Sequence, residues 1–168
     1  MSKAHGLQFS AAMVRALLDG SKTMTRRKLG DKGPRFKAGD TIWVRETFRV
    51  HPTDMWLLAQ NERPVDYKAT ENLDGWKGVR WKNARYMPRW ASRITLVVTA
   101  SRVERLQDIS ESDAMAEGAG FLIGDHEYLD GNPDQYRACF RILWESIHGA
   151  GSWDPDQNVE VISFEVQK

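Results

Sequence analysis

The sequence predicts an α+β fold: a mixed or antiparallel β-barrel with short flanking helices. Three observations predict it. Runs rich in Val, Ile, Thr and aromatic residues, several with period-two alternation, recur at 40–49, 94–103 and 159–166, and such runs fit the half-buried surface of a sheet. Between them lie short stretches whose apolar residues return at helical spacing behind capping signals. The elements lack the βαβ regularity of a parallel sheet.

Leu7-Gln8-Phe9 is a short apolar start, after which Ser10 caps a helix carrying Met13, Leu17 and Leu18 on one side and ending at Asp19-Gly20. Thr23 to Lys28 alternates β-branched and basic residues and predicts a short strand or extended loop. A turn-rich stretch from Gly30 to Gly39 leads into the strand 40–49, with Ile42, Val44, Glu46 and Phe48 on one face. Residues 51–93 read as a long ordered excursion, carrying Trp56, Trp76, Trp81, Tyr86 and Trp90 among Pro, Gly, Asn and charge. A strand from Ile94 to about Val103 follows. Ser110 with Asp113 resembles a capping box for a short helix ending near Glu117-Gly118, and Asn132 with Gln135 repeats the signal around Pro133. Tyr136, Phe140, Leu143, Trp144 and Ile147 then form one apolar stripe, Gly149 to Gly151 ends that helix, and Val159 to Val166 is the last strand.

A length of 168 residues fits one domain, 1–168, with the irregular insertion at about 51–93. The 41% hydrophobic and 28% charged content is that of a globular chain, and no run approaches the roughly 18 apolar residues of a membrane span. With no apolar leader after Met1 and a single cysteine, Cys139, the expected location is cytoplasmic. Charge is unevenly placed. Residues 1–37 hold nine Lys/Arg against two Asp/Glu, residues 38–98 ten against seven, and residues 99–168 five against fourteen. A local positive field attracts phosphates even in a near-neutral molecule, so a nucleic acid or nucleotide is a plausible partner, the alternative being a merely solvated face.

Phosphate-binding glycine loops, the G-x-S-x-G elbow and H-E-x-x-H are all missing, which removes the main support for kinase, dehydrogenase, α/β-hydrolase and zincin readings. His5, His51, His126 and His148 show no ligand spacing and read as surface residues, so no metal and no cofactor are expected. The distinctive feature is Gly20-Ser-Lys-Thr-Met-Thr-Arg-Arg27 directly after a helix. Its Lys22, Thr23, Thr25, Arg26 and Arg27 can present ammonium, hydroxyl and guanidinium to one pocket. A desolvated or Arg-flanked lysine has a lowered pKa and can take the proton of a threonine hydroxyl, so Lys22 can activate Thr25. The competing reading is a basic strand edge that holds phosphate or pairs with the acidic C-terminal half.

Together with Gly39-Asp40, Trp43-Val-Arg-Glu-Thr-Phe48, Met87-Pro-Arg-Trp-Ala-Ser-Arg-Ile94, and Leu143-Trp-Glu-Ser-Ile147 before Ser152-Trp153, this motif resembles the ASCH superfamily of PUA-like fold, in phage-type members above all. The resemblance implies a bacterial or prophage setting. It also implies a relation to small amidohydrolases that remove the acetyl group from N4-acetylcytidine with a Lys, a Thr and a Glu. By motif these fall on Lys22, Thr25 and, at the corresponding offset on a short helix, Glu117. Glu46, an acid on an apolar strand face, is the rival carboxylate. The excursion departs from the minimal family domain. Its second half carries Lys77, Arg80, Lys82, Arg85, Arg89 and Arg93 around Trp81, Tyr86 and Trp90. Such interleaving suits single-stranded RNA, with Arg85, Arg89 and Trp81 as contacts, unless the tryptophans anchor the excursion to the barrel. Two functions remain: an amidohydrolase acting on an acylated cytosine nucleoside, or a module binding RNA or a modified nucleotide without chemistry. No membrane partner is expected.

Overall fold

The computed structural model describes residues 2–50, 65–70, 80–122 and 134–167. Strand β1 (Ala4–Gln8) leads into helix α1 (Ala11–Asp19), then come β2 (Met24–Lys28), β3 (Thr41–Arg45), β4 (Phe48–Val50) and β5 (Val65–Tyr67). The long strand β6 (Thr95–Arg105) is followed by α2 (Glu111–Ala116), α3 (Gln135–His148) and β7 (Asn158–Gln167). Short 3-10 turns lie at Ala84–Tyr86, Arg89–Ala91, Leu106–Asp108 and Ala119–Leu122.

Helix α1 starts and stops where its chemistry dictates. The Ser10 hydroxyl accepts Met13 N at 3.4 Å, and Gly20 closes the helix at φ 85°, a conformation that costs glycine nothing. Ser110 caps α2 in the same way, accepting Asp113 N at 3.1 Å. At α3 the capping residues read as Asn132 and Pro133 lie outside the described residues. There the Glu111 carboxylate accepts Tyr136 N and Arg137 N, each at 2.9 Å, so one helix supplies the other's cap. Phe140, Leu143 and Trp144 are buried as the stripe predicts, whereas Ile147 is 59% exposed at the helix end.

Five strands make a mixed sheet in the order β1-β3-β6-β7-β2, with β1 parallel to β3 and the remaining pairs antiparallel. Strand β7 runs inside the sheet and buries Val159, Val161, Ile162 and Phe164, so successive side chains on both faces leave water. They join Val14, Leu17, Ile42, Val44, Leu96 and Val98 in one core.

Two expectations change. Among the described residues the sheet does not close into a barrel. Its edge strands β1 and β2 are joined by a side chain instead of a ladder: Arg27 Nη2 donates to Gln8 O at 2.8 Å, with the guanidinium over the Phe9 ring at 5.2 Å. The strand expected at 40–49 is also broken after Arg45. The alternation persists, with Ile42, Val44, Glu46 and Phe48 all at most 2% exposed. Phe48, however, leaves the main sheet, exchanges backbone hydrogen bonds with Lys82 and pairs with Tyr67 in a separate ribbon. Part of the excursion is therefore regular structure, built on a small second core of Phe48, Met87 and Ala91. Trp56, Trp76, Lys77, His51 and His126 lie outside the described residues. No described helix is long and apolar enough to cross a membrane.

Candidate active site

The turn after α1 aims the motif. Beyond left-handed Gly20 the chain folds back, Lys22 N donating to Ala16 O and Thr23 N to Ala116 O, both at 2.9 Å. This ties the end of α1 to the end of α2 and sends the Lys22 side chain between them. Its Nζ, in a residue 2% exposed, donates to Met24 O at 2.7 Å, Glu117 O at 2.7 Å and Glu117 Oε2 at 2.9 Å. An ammonium has three hydrogens, and all three are used. Burial pushes the Lys22 pKa down, while the Glu117 carboxylate and its hydrogen bond oppose that shift.

Glu117, equally buried, is held from its other side. Arg26, whose side chain is fully enclosed, donates Nη1 to Glu117 Oε1 at 3.4 Å, Nη2 to Asp113 Oδ2 at 2.7 Å, and Nε to Glu104 Oε1 at 3.0 Å, and it lies over the Phe140 ring at 5.8 Å. Arg102 closes the array with 2.9 and 2.7 Å bonds to Glu104 and Asp113. Lys22, Arg26 and Arg102 thus face Glu104, Asp113 and Glu117, an electrically balanced cluster.

A cleft of about 720 Å³ opens beside this cluster, at the seam between β1 and β2. Lys22, Thr25 and Glu117 line it together, brought from a loop, a strand and a helix end 92 to 95 positions apart. Thr25 is 4% exposed, and its hydroxyl makes no hydrogen bond among the described residues. Arg27, Arg35, Arg45 and Asn83 add polar groups, while Phe9, Phe140, Trp144 and His148 add aromatic walls.

Of the remaining sequence candidates, Arg26 lines the cleft with its donors bonded to the carboxylates of Glu104, Asp113 and Glu117. Thr23 is exposed and outside the cleft lining, its main chain engaged by Ala116 and Phe164. Glu46 lies outside the lining too, paired by a bidentate fork to Arg93 at 2.9 and 3.0 Å. Arg85, Arg89 and Trp81 sit on the neighbouring surface: Arg85 and Arg89 are exposed, Arg89 lies over Trp43 at 5.8 Å, and Trp81 is half-buried. Trp90 is 49% exposed, which departs from a purely anchoring role.

Sequence reading missed Arg45 and His148. Arg45 follows Trp43 on the strand face opposite Ile42 and Val44, a period-two position that could have been read. His148 stands four residues after Trp144, one helical turn along the same stripe, and the rings lie 4.1 Å apart. Burial, then Lys28 and Arg27, lower its pKa. Among the described residues no cluster of His, Cys, Asp and Glu could hold a metal ion.

No family model matches the sequence, and no curated protein matches it. Solved structures to which the chain is similar include the following. One is an ASCH domain from Lactobacillus crispatus JV V101, at 14% identity and TM-score 0.49 over 98% of this chain and 79% of that one. Another is protein EF3133 from Enterococcus faecalis V583, at 15% and 0.45 over 99% and 80%. The third is hypothetical protein PH0355, at 15% and 0.43 over 99% and 100%. Likeness this distant decides nothing about chemistry, which has to come from the side chains.

Proposed function

We propose that this chain is an ASCH-type amidohydrolase that removes an acyl group from the exocyclic nitrogen of a modified cytosine nucleoside, with Thr25 as nucleophile. The observation that supports it is the convergence of Lys22, Thr25 and Glu117 on one cleft of a size that takes a small molecule.

Because Lys22 Nζ already donates three hydrogen bonds, it cannot act as a base until it gives up a proton, and the acceptor at hand is Glu117 Oε2 at 2.9 Å. That transfer makes a neutral amine and a neutral acid, and the burial that lowers the Lys22 pKa favours the amine. The amine then takes the Thr25 proton as Oγ bonds to the acyl carbon. The acid protonates the nitrogen as the C–N bond breaks, releasing the free base and leaving an acyl ester on Thr25. Glu117, again a carboxylate, takes a proton from the attacking water and returns it to Thr25 Oγ as the ester breaks. The sum is amide plus water giving carboxylic acid plus amine.

The test is incubation with N4-acetylcytidine and chromatography for cytidine. The wild type is expected to release cytidine, and Thr25→Ala to lose at least about a hundredfold in turnover while staying folded. Equal turnover by Thr25→Ala refutes the nucleophile; no turnover by the wild type on any acylated cytosine nucleoside refutes the hydrolase. In that case the second reading holds, a module binding RNA or a modified nucleotide. The full occupancy of Lys22 Nζ favours it, since a saturated ammonium is first of all a fixed charge. It requires affinity for single-stranded RNA that falls with salt, with a slope that flattens when Arg85 and Arg89 become Ala.

A further inference from the structure

We infer that the cleft carries a phosphate subsite formed by Arg27 and Arg45, so that its preferred ligand is a nucleotide and not a nucleoside. The inference deepens the nucleoside-cleft reading and rests on it.

The two arginines come from strands β2 and β3 and converge on the seam. Arg27 donates Nη2 to Gln8 O, Gln8 is paired in register with Arg45, and Phe9 N donates to Arg45 O at 2.9 Å. Both line the cleft. Each guanidinium is held by its edge and its face. Arg27 lies over Phe9 at 5.2 Å; Arg45 lies over Trp43 at 5.2 Å and donates Nη2 to Arg85 O. Arg27 Nε and Arg45 Nε are both buried and have no hydrogen-bond partner among the described residues.

A buried donor without a partner costs free energy, and two of them on cations in one cleft are satisfied together by an anion. The balanced cluster beneath shows the contrast. Lys22 and Arg26 each face carboxylates, whereas among the described residues neither Arg27 nor Arg45 forms an ion pair with a carboxylate. A fixed guanidinium matches phosphate oxygens in geometry and charge, and pre-ordering by ring stacking reduces the entropy lost on binding. Glu117 is hydrogen-bonded to Lys22 and Arg26 and acts on Arg27 through space only, raising its pKa against the burial that lowers it.

Calorimetric titration with unacylated cytidine and cytidine 5′-monophosphate tests this without relying on turnover. The monophosphate is expected to bind at least about tenfold tighter, since hydrogen bonds to charged groups are individually worth that much. Inorganic phosphate should compete with the monophosphate and leave cytidine binding unchanged. Arg45→Gln and Arg27→Gln should each bring the monophosphate down towards cytidine. Should Arg27→Gln unfold, because Arg27 bridges β1 and β2, Arg45→Gln and the phosphate competition carry the test. A short cytidine oligonucleotide that binds better than the monophosphate, with the same loss in Arg45→Gln, supports the subsite and assigns it to an RNA chain. Equal affinity for cytidine and its monophosphate, no binding of either, or a preference that survives Arg45→Gln overturns it. A wild type that deacetylates N4-acetylcytidine yet shows no phosphate preference refutes the subsite alone. A phosphate preference without turnover refutes the hydrolase alone.

Discussion

Removing the charge of Glu117 should cost far more than removing the charge of Lys22, although the two are partners in one ion pair. Glu117→Gln leaves Lys22 Nζ with two backbone carbonyls and no carboxylate, and turns the balanced cluster into three cations facing two anions. Breaking a buried pair by deleting one partner costs about 3–5 kcal/mol. For a chain of this size that lowers Tm by roughly 6–20 °C, at about 2–4 °C per kcal/mol. Lys22→Met leaves Glu117 held by Arg26 and removes the cation that was costly to bury, so its cost should stay at or below about 2 kcal/mol. Urea unfolding of both single variants and the double variant reads the difference. The double variant should be more stable than Glu117→Gln, because the orphaned ammonium has gone. The pH dependence carries a sign. In Glu117→Gln burial lowers the Lys22 pKa without the opposing carboxylate, while the unfolded lysine stays at its ordinary value of 10.5. The unfolded state then binds more protons across that window, so the deficit shrinks as pH rises through it. A Glu117→Gln variant within about 1 kcal/mol of wild type, or a double variant no better than the sum of the singles, refutes the cluster argument.

Gly118→Ala should destabilise by at least about 1–2 kcal/mol and slow turnover, because Gly118 sits at φ 78° and a Cβ there would lie 3.2 Å from Ala16 Cβ and 3.4 Å from Lys22 Cβ. Unfolding and deacetylation measured side by side check both effects. Asp40 accepts Lys3 N at 2.7 Å and Lys37 N at 3.1 Å, and these bonds hold its pKa below the ordinary 3.8. Its stabilisation is therefore present above 3.8 and lost as pH falls through the folded value. Asp40→Asn should be less stable at neutral pH, and the gap should close between about pH 5 and about pH 2 in urea titrations.

Local chemistry was legible in the sequence where it is self-contained. Ser10, Gly20, Ser110 and the stripe through Phe140 and Trp144 each act within one element, so spacing alone reveals them. The break after Arg45 was not legible, because the alternation of Val44, Glu46 and Phe48 continues across it. What ends the main sheet is Phe48 finding Lys82 and Tyr67, partners tens of residues away. The same distance hid the difference between Glu46 and Glu117. Glu46 read as an acid on an apolar strand face and Glu117 as the carboxylate the resemblance implies, and only tertiary structure gives one of them Arg93 and the other Lys22.

The uneven charge of the chain takes on a different meaning once the pairs are known. A basic first half and an acidic last third suggested a positive face turned towards a partner. Much of that imbalance is consumed internally, since Lys22 and Arg26 of the basic motif are matched by Glu104, Asp113 and Glu117 of the acidic region. Both readings of the motif therefore hold, at different residues. Thr25, Arg26 and Arg27 all line the cleft, but Arg26 is bound to carboxylates while Thr25 and Arg27 offer it a hydroxyl and a cation. One short strand thus divides its residues between building the Lys22–Glu117 pair and presenting a hydroxyl and a cation beside it. A substitution at Arg26 should accordingly act through Glu117, lowering stability and turnover together, whereas one at Thr25 should lower turnover alone.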